Sequence, residues 1–198
     1  MLGQSPLAML RTGELNVYII GDSLSPRERQ RVQAQVQTAL RSLPDWAFGL
    51  LHGRLQQVGA ANLPLIVEPQ TGDQAGPQAL SLGQIEGRPA ARLLPRLRGG
   101  DIDWRQDQRY LVAKAVAYLA APPPSSDADF WARWSQAVAS DGLGEKARAT
   151  GEHWAGASDL DLLIEMFAAY ALNPEHDRWA GLPSVRAFLD EWRQTAVL

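Results

Sequence analysis

The residues with the clearest chemical potential lie between Trp154 and Pro174, in the segment WAGASDLDLLIEMFAAYALNP. Asp161 and Glu165 are four residues apart in this segment, and residues at that spacing on a helix are neighbours on one face. The two carboxylates could therefore line a cleft together. In the simpler alternative, one of them caps or pairs with the first turn of the helix and the other binds Lys114, an arginine or solvent.

Composition limits the kinds of protein that this chain can be. It has 198 residues, of which 45% are apolar and 21% charged, which is typical of one soluble globular domain. The net charge of −3 does not favour nucleic acid as a partner. Because the chain has no cysteine, any bound metal would need histidine, aspartate or glutamate ligands.

Targeting and membrane segments are not evident in the sequence. The first residues, MLGQSPLAMLRTG, contain neither a basic leader nor a long apolar run, so they do not resemble a secretory signal. No stretch approaches the roughly 20 continuous apolar residues that a membrane-spanning helix needs. We therefore expect a cytoplasmic protein without membrane contact.

The first half of the chain contains the strand signals. Apolar and β-branched runs predict strands at Leu15–Ile20, Leu63–Val67, Ala79–Ile85 and Ala91–Leu97. A long helix should follow the first strand, because Ser25, Pro26 and Glu28 form the pattern of an N-cap, a first helical proline and a capping box. The segment Trp46–Leu55 is ambiguous, with a short helix as one interpretation.

The second half is predicted to be helical. An almost wholly apolar run, Tyr110–Ala121, indicates a buried helix that three prolines terminate, and Ser126 or Asp127 can cap the next one. Residues 142–158 are interpreted as a loop, Ser158 or Asp159 as the cap of the helix that carries the two carboxylates, and Pro183 or Ser184 as the start of a last helix. The prediction is one α+β domain over residues 1–198, sheet-rich over 13–103 and helical over 104–198.

This order of elements, with a helix of the type E-x-F-A-E-x-F-x-x-Y, resembles the zincin metallopeptidase core, particularly the group of the anthrax lethal factor catalytic domain. The matching stretch runs from Asp161 to Tyr170, and further likeness lies in DADFWARW, residues 127–134. The resemblance implies a buried H-E-x-x-H helix that holds zinc and a general base. It also implies an acidic third ligand on the later helix and a tyrosine ahead of it.

Carried over residue by residue, the resemblance implies a degenerate site. The third ligand falls on Asp161, the aromatic position on Trp154, and the second carboxylate on Glu165. The H-E-x-x-H position reads Ala113-Lys114-Ala115-Val116-Ala117, so both histidine ligands become alanine and the base becomes lysine. The resemblance therefore implies a noncatalytic cleft built from Lys114, Trp154, Asp161 and Glu165. An ion pair of Lys114 with Glu165 or Asp161 in place of zinc is a further hypothesis.

Two alternatives remain at this point. A metal-dependent hydrolase with zinc at His153, Asp161 and Glu165 is one, although a zinc site usually has three or four protein ligands and no two histidines here share a helix face. An interaction domain unrelated to peptidases is the other. The favoured hypothesis is a pseudoenzyme without cofactor that binds a protein or peptide partner, with its oligomeric state open.

The tryptophans of the helical half can be interpreted in two ways. We expect them to fill the core, because large aromatic side chains are mostly buried. The functional alternative is an exposed aromatic groove that binds a peptide. The residues concerned are Trp131, Trp134, Trp154, Trp179 and Trp192.

Overall fold

The computed structural model describes residues 8–12, 15–21, 24–71, 78–98, 101–150 and 157–196. Its strands, all within residues 8–103, form a five-stranded mixed sheet and a small three-stranded sheet. The strands are Ala8–Thr12 (β1), Leu15–Ile19 (β2), Leu63–Val67 (β3), Gln70–Thr71 (β4), Leu80–Ile85 (β5), Arg88–Leu93 (β6), Arg96–Arg98 (β7) and Asp101–Asp103 (β8). The main sheet has the order β1-β2-β3-β6-β5, and a small one the order β4-β7-β8. Strands β2, β3 and β6 are parallel, whereas β1 and β5 are antiparallel to their neighbours.

The strands predicted at Leu15–Ile20, Leu63–Val67 and Ala79–Ile85 are confirmed to within one residue at each end. The short strands β1, β4 and β8 were not predicted, and the single predicted strand Ala91–Leu97 is divided between β6 and β7. Pro95 lies in the gap, where a residue without a backbone N–H ends the pairing. The turn between β5 and β6 consists of Glu86 and Gly87, both at positive φ (52° and 77°), which is the backbone of a tight two-residue hairpin.

Helices make up most of the remaining chain, and the α+β class predicted from the sequence is confirmed. They span Pro26–Arg41 (α1), Asp45–Val58 (α2), Gln108–Ala120 (α3), Ala128–Ser140 (α4), Leu143–Thr150 (α5), Asp159–Leu172 (α6) and Pro183–Gln194 (α7), with a 3-10 helix at Asp177–Gly181. The capping box at α1 forms as predicted. The hydroxyl of Ser25 accepts the Glu28 N–H at 3.3 Å, and the Glu28 carboxylate accepts the Ser25 N–H at 2.8 Å.

Two segments of the helical structure differ from the sequence interpretation. The ambiguous stretch 46–55 lies inside α2, whose buried side chains include Ala47, Leu51 and Leu55. The loop predicted over 142–158 is wrong in its first part, because residues 143–150 form α5. Residues 145–148, which are glutamate, lysine, alanine and arginine, are good helix formers. Leu143 anchors this helix, since it is only 1% exposed.

Helix α3 lies at the centre of the fold. It packs against α1, α2, α6, β5 and β6, and its alanines at 113, 115 and 117 are fully buried. Small side chains let neighbouring elements approach closely, so this helix can contact the sheet and three helices at once. The arrangement places α6, the helix of the two carboxylates, directly beside α3.

Asp141 makes a long-range cap that the sequence did not indicate. It follows α4, is 7% exposed, and accepts the N–H groups of Ser184 and Val185 at 3.1 and 2.7 Å. These are free donors in the first turn of α7, whose own N-cap residue, Leu182, makes no side-chain cap hydrogen bond. Asp141 therefore ties the start of α7 to the end of α4.

Replacing Asp141 with alanine should lower the free energy of unfolding by about 2–3 kcal/mol, because two buried N–H donors lose a charged acceptor. Urea denaturation followed by circular dichroism measures the change. Ser25→Ala, which removes the exposed local cap of α1, is the matched control and should cost about 1 kcal/mol. Equal effects of the two substitutions would show that the long-range cap has no special role.

Candidate functional site

Lys114 of α3 and Glu165 of α6 form an ion pair at the interface of the two helices. The ammonium group contacts one oxygen of the carboxylate, and the side chains of Lys114 and Glu165 are only 15% and 7% exposed. The hydroxyl of Tyr110 donates to the other carboxylate oxygen at 2.7 Å. Tyr110 and Lys114 are four residues apart on α3, so both reach the same point on α6.

Local sequence signals set the position of each helix in this site. The side chain of Asp107 caps α3 by accepting the Arg109 N–H at 2.8 Å, and the prolines from 122 onward prevent its extension. Ser158 caps α6 in a second capping box, in which its hydroxyl accepts the Asp161 N–H at 3.2 Å. Local capping interactions thus define the N-terminal end of each helix.

Asp161 and Glu165 differ in environment although they belong to the same helix. The Asp161 carboxylate is exposed and accepts the hydroxyl and the N–H of Ser158 at 2.7 and 3.3 Å. Glu165, one turn later, is buried against α3. Of the two partners proposed for Lys114, the structure has Glu165, and Asp161 instead completes the cap of its own helix.

The remaining candidates of the sequence analysis lie elsewhere. His153 and Trp154 are outside the residues that the structure describes. Ala113 and Ala117, the positions that the resemblance assigns to zinc ligands, are fully buried in α3. Among residues 8–12, 15–21, 24–71, 78–98, 101–150 and 157–196, no group of three histidine, aspartate or glutamate side chains is placed to hold a metal ion.

Two histidines of the described chain make short-range contacts. His176 caps the 3-10 helix, where its Nδ1 accepts the Arg178 N–H at 3.0 Å. His52 lies on α2 with its Nε2 3.1 Å from the side-chain nitrogen of Gln56. Both contacts are of the structural kind expected for isolated histidines.

Tyr110 is the residue of this site that sequence reasoning missed. Its ring also lies under the Lys114 ammonium group, 5.8 Å from centroid to nitrogen, which is a cation–π distance. The sequence could have indicated its role, because Tyr110 lies four residues before Lys114 on a predicted buried helix and so shares its face. A phenol there can satisfy a carboxylate that approaches from a neighbouring helix.

The chemistry of this cluster is that of a compensated buried charge. Both carboxylate oxygens of Glu165 have hydrogen-bond donors, and the positive charge of Lys114 balances the negative one. A carboxylate in this state is not free to act as a general base or to bind a cation without first losing the ammonium group. The arrangement therefore joins α3 to α6 with the charge of each partner compensated.

Two cavities border other elements. One of 560 Å³ lies among residues of α2, α4 and α7, and one of 230 Å³ lies between α2, the β5–β6 hairpin and the prolines after α3. Neither is lined by Lys114, Asp161 or Glu165. The Lys114–Glu165 cluster is thus separate from both cavities.

Comparison with protein-family models, with curated proteins and with solved structures found nothing that matches this chain. In the described part of the chain, none of the helices combines the length and apolar character that crossing a membrane would demand.

Proposed function

We propose that this protein is a noncatalytic relative of the zincin metallopeptidases that binds a protein or peptide partner. The observation that supports the proposal is the ion pair of Lys114 with Glu165. The resemblance assigns the general base to position 114, and the residue there is a cation whose charge Glu165 balances. An ammonium group held at this point would repel a divalent metal ion.

The neighbourhood of α3 and α6 supports the zincin-like part of the proposal. In the resemblance, the buried helix and the acidic helix face each other across the active site. Here the corresponding helices are in extensive contact, and the contact includes the charged pair. An unrelated interaction domain would not require these two helices to meet.

Strand β5 offers a surface for the proposed partner next to α3. It is the last strand of the main sheet, its side chains are half-buried or exposed, and within the described residues it pairs with β6 alone. The hydroxyl of Tyr118 on α3 donates to the Gly83 carbonyl at 2.8 Å, which holds the strand against the helix. An extended peptide can add to such an edge by main-chain hydrogen bonds.

The proposal predicts that purified protein contains no stoichiometric zinc and that added zinc does not raise its melting temperature. Elemental analysis and thermal denaturation measure the two properties. Peptides selected from a random library should bind equally well with and without EDTA and should be recovered intact by mass spectrometry.

The competing hydrolase at His153, Asp161 and Glu165 predicts the opposite results. One zinc ion per chain that is lost in His153→Ala, or cleavage of bound peptides that EDTA stops, would exclude the noncatalytic proposal. Arg92→Gln, a substitution in an exposed ion pair with Glu68, serves as the control for unspecific effects.

A further inference from the structure

Arg54 is a buried cation without an acidic partner. It lies on α2, is 7% exposed, and donates a hydrogen bond from one terminal nitrogen to the side chain of Gln57 at 3.1 Å. Its Nε has no hydrogen-bond partner, and no carboxylate in the described part of the chain lies within ion-pair distance of it. A guanidinium group has five N–H donors, so most of its hydrogen-bonding capacity is not used by the protein.

Burial of such a group is unfavourable unless something compensates its charge. Removal from water lowers the pKa of Arg54, although an arginine still carries its proton at neutral pH. The buried carboxylate of Glu165, by contrast, is balanced by the ammonium group of Lys114. An uncompensated buried cation that borders a cavity is suited to bind an anion from solution.

The smaller of the two cavities has the charge that an anion requires. Arg54 and Arg88 both line its 230 Å³, and among the described residues no aspartate or glutamate does. Arg88 is exposed, and no ion pair involves it within the described residues. The described lining of this cavity therefore contains two basic residues and no acidic one.

The larger cavity, which Arg54 also borders, is less suited to an anion. Asp127 and Glu191 line it together with Arg133, and the guanidinium of Arg133 is paired with Glu191. The acidic and basic side chains around that cavity are thus equal in number. Electrostatics favours the smaller cavity as the anion site.

We propose that this smaller cavity binds the phosphate group of a small phosphate monoester, with Arg54 as its buried anchor and Arg88 at its mouth. A phosphate monoester carries close to two negative charges at pH 7, which matches the two arginines, and its three oxygens can accept several N–H donors. Apolar residues at the same cavity can contact the organic part of the ligand: Val58, Pro122, Pro123, Pro124 and Leu160. This site is distinct from the Lys114–Glu165 cluster, and it borders the proposed partner surface at Gln84 of β5 and Tyr118 of α3.

Thermal denaturation in the presence of inorganic phosphate and of phenyl phosphate tests the proposal. At a concentration of about 100 times its Kd, a ligand should raise the melting temperature by about 5–10 °C for a chain of this size. Tighter binding of phenyl phosphate than of phosphate would identify an organic ester as the ligand, and equal binding would identify free phosphate. No shift with either compound would overturn the proposal.

Three substitutions locate the site by isothermal titration calorimetry. Arg54→Met should weaken binding about 10- to 100-fold, because charged hydrogen bonds are lost in a buried position. Arg88→Gln, at an exposed position, should weaken it about 2- to 5-fold. Arg133→Gln, the matched control in the larger cavity, should leave the affinity within about twofold.

The free protein distinguishes lost binding from lost folding. Without ligand, Arg54→Met should melt at the same temperature as the wild type or higher, because an uncompensated buried charge is replaced by an apolar chain of similar length. Stabilisation by phosphate through general salt effects would persist in this variant and would thereby contradict a specific site. A larger loss in Arg133→Gln than in Arg88→Gln would place the anion in the larger cavity and overturn the proposal as well.

Discussion

Replacing Lys114 with methionine should lower the free energy of unfolding by about 3–5 kcal/mol, because Glu165 would keep a buried negative charge without its cation. The side chain of Glu165 is 7% exposed, so water cannot take the place of the ammonium group. The Tyr110 hydroxyl would remain as a donor but carries no charge. Guanidinium chloride denaturation at neutral pH measures the loss.

The double variant Lys114→Met with Glu165→Met separates the ion pair from simple packing. It should recover most of the lost stability, since two apolar chains of similar size often replace a buried ion pair at little cost. Arg92→Met breaks the exposed pair with Glu68 and should change stability by no more than about 1 kcal/mol. If Lys114→Met resembled Arg92→Met, the buried pair would contribute nothing and the proposed replacement of the metal would lose its support.

Replacing Trp134 with alanine should cost about 3–5 kcal/mol of unfolding free energy. This indole is fully buried on α4, with its ring centroid 5.2 Å from that of Phe188 on α7. Its N–H donates to the main-chain carbonyl of Asp159 at 2.8 Å, so it also joins α4 to the start of α6. The substitution would leave a large cavity and remove this hydrogen bond at the junction of three helices.

A matched substitution, Trp46→Ala, tests whether burial is the cause. Trp46 is only half-buried, at 5.3 Å from the ring of Phe167, and its loss should cost clearly less. Denaturant midpoints of the two variants give the comparison. Equal stabilities, together with loss of peptide binding in Trp134→Ala, would instead favour the exposed aromatic groove over a core role.

Burial of the tryptophans agrees with the expectation from composition. Trp131, Trp134, Trp179 and Trp192 are each at most 8% exposed. Trp154 belongs to a segment outside the described residues. These four tryptophans of the helical half therefore belong to the core, and a peptide-binding groove built on them has no support.

Helix starts were the features that sequence predicted best. Ser25, Asp127 and Ser158 each cap the helix that follows them, because an N-cap depends on a side chain and a backbone N–H two or three residues away. Such an interaction is complete within one turn, and its residue types can be recognised without knowledge of the fold. Prolines predicted helix ends equally well, since a proline restricts the backbone only at its own position and its immediate neighbours.

Interactions between distant segments were not predictable in the same way. Asp141 has the residue type of a helix cap, yet the N–H groups that donate to its carboxylate lie more than 40 residues later, at the start of α7. Helix α5 was interpreted as a loop, and its first residue, Leu143, is buried against other elements. The partner of Asp141 and the burial of Leu143 both depend on segments that are distant in sequence.

The sequence by itself determined the α+β class, the capped helix starts, the buried helix with Lys114 and the two acidic residues that could meet it. Only the tertiary structure decided that Glu165 pairs with Lys114 while Asp161 caps its own helix, and that Arg54 is buried beside a cavity whose described lining contains no acidic residue. The physical reason is the distance along the chain over which each interaction acts. Caps and periodicity are set within a few residues, whereas the partner and burial of a charge depend on which distant elements pack against it.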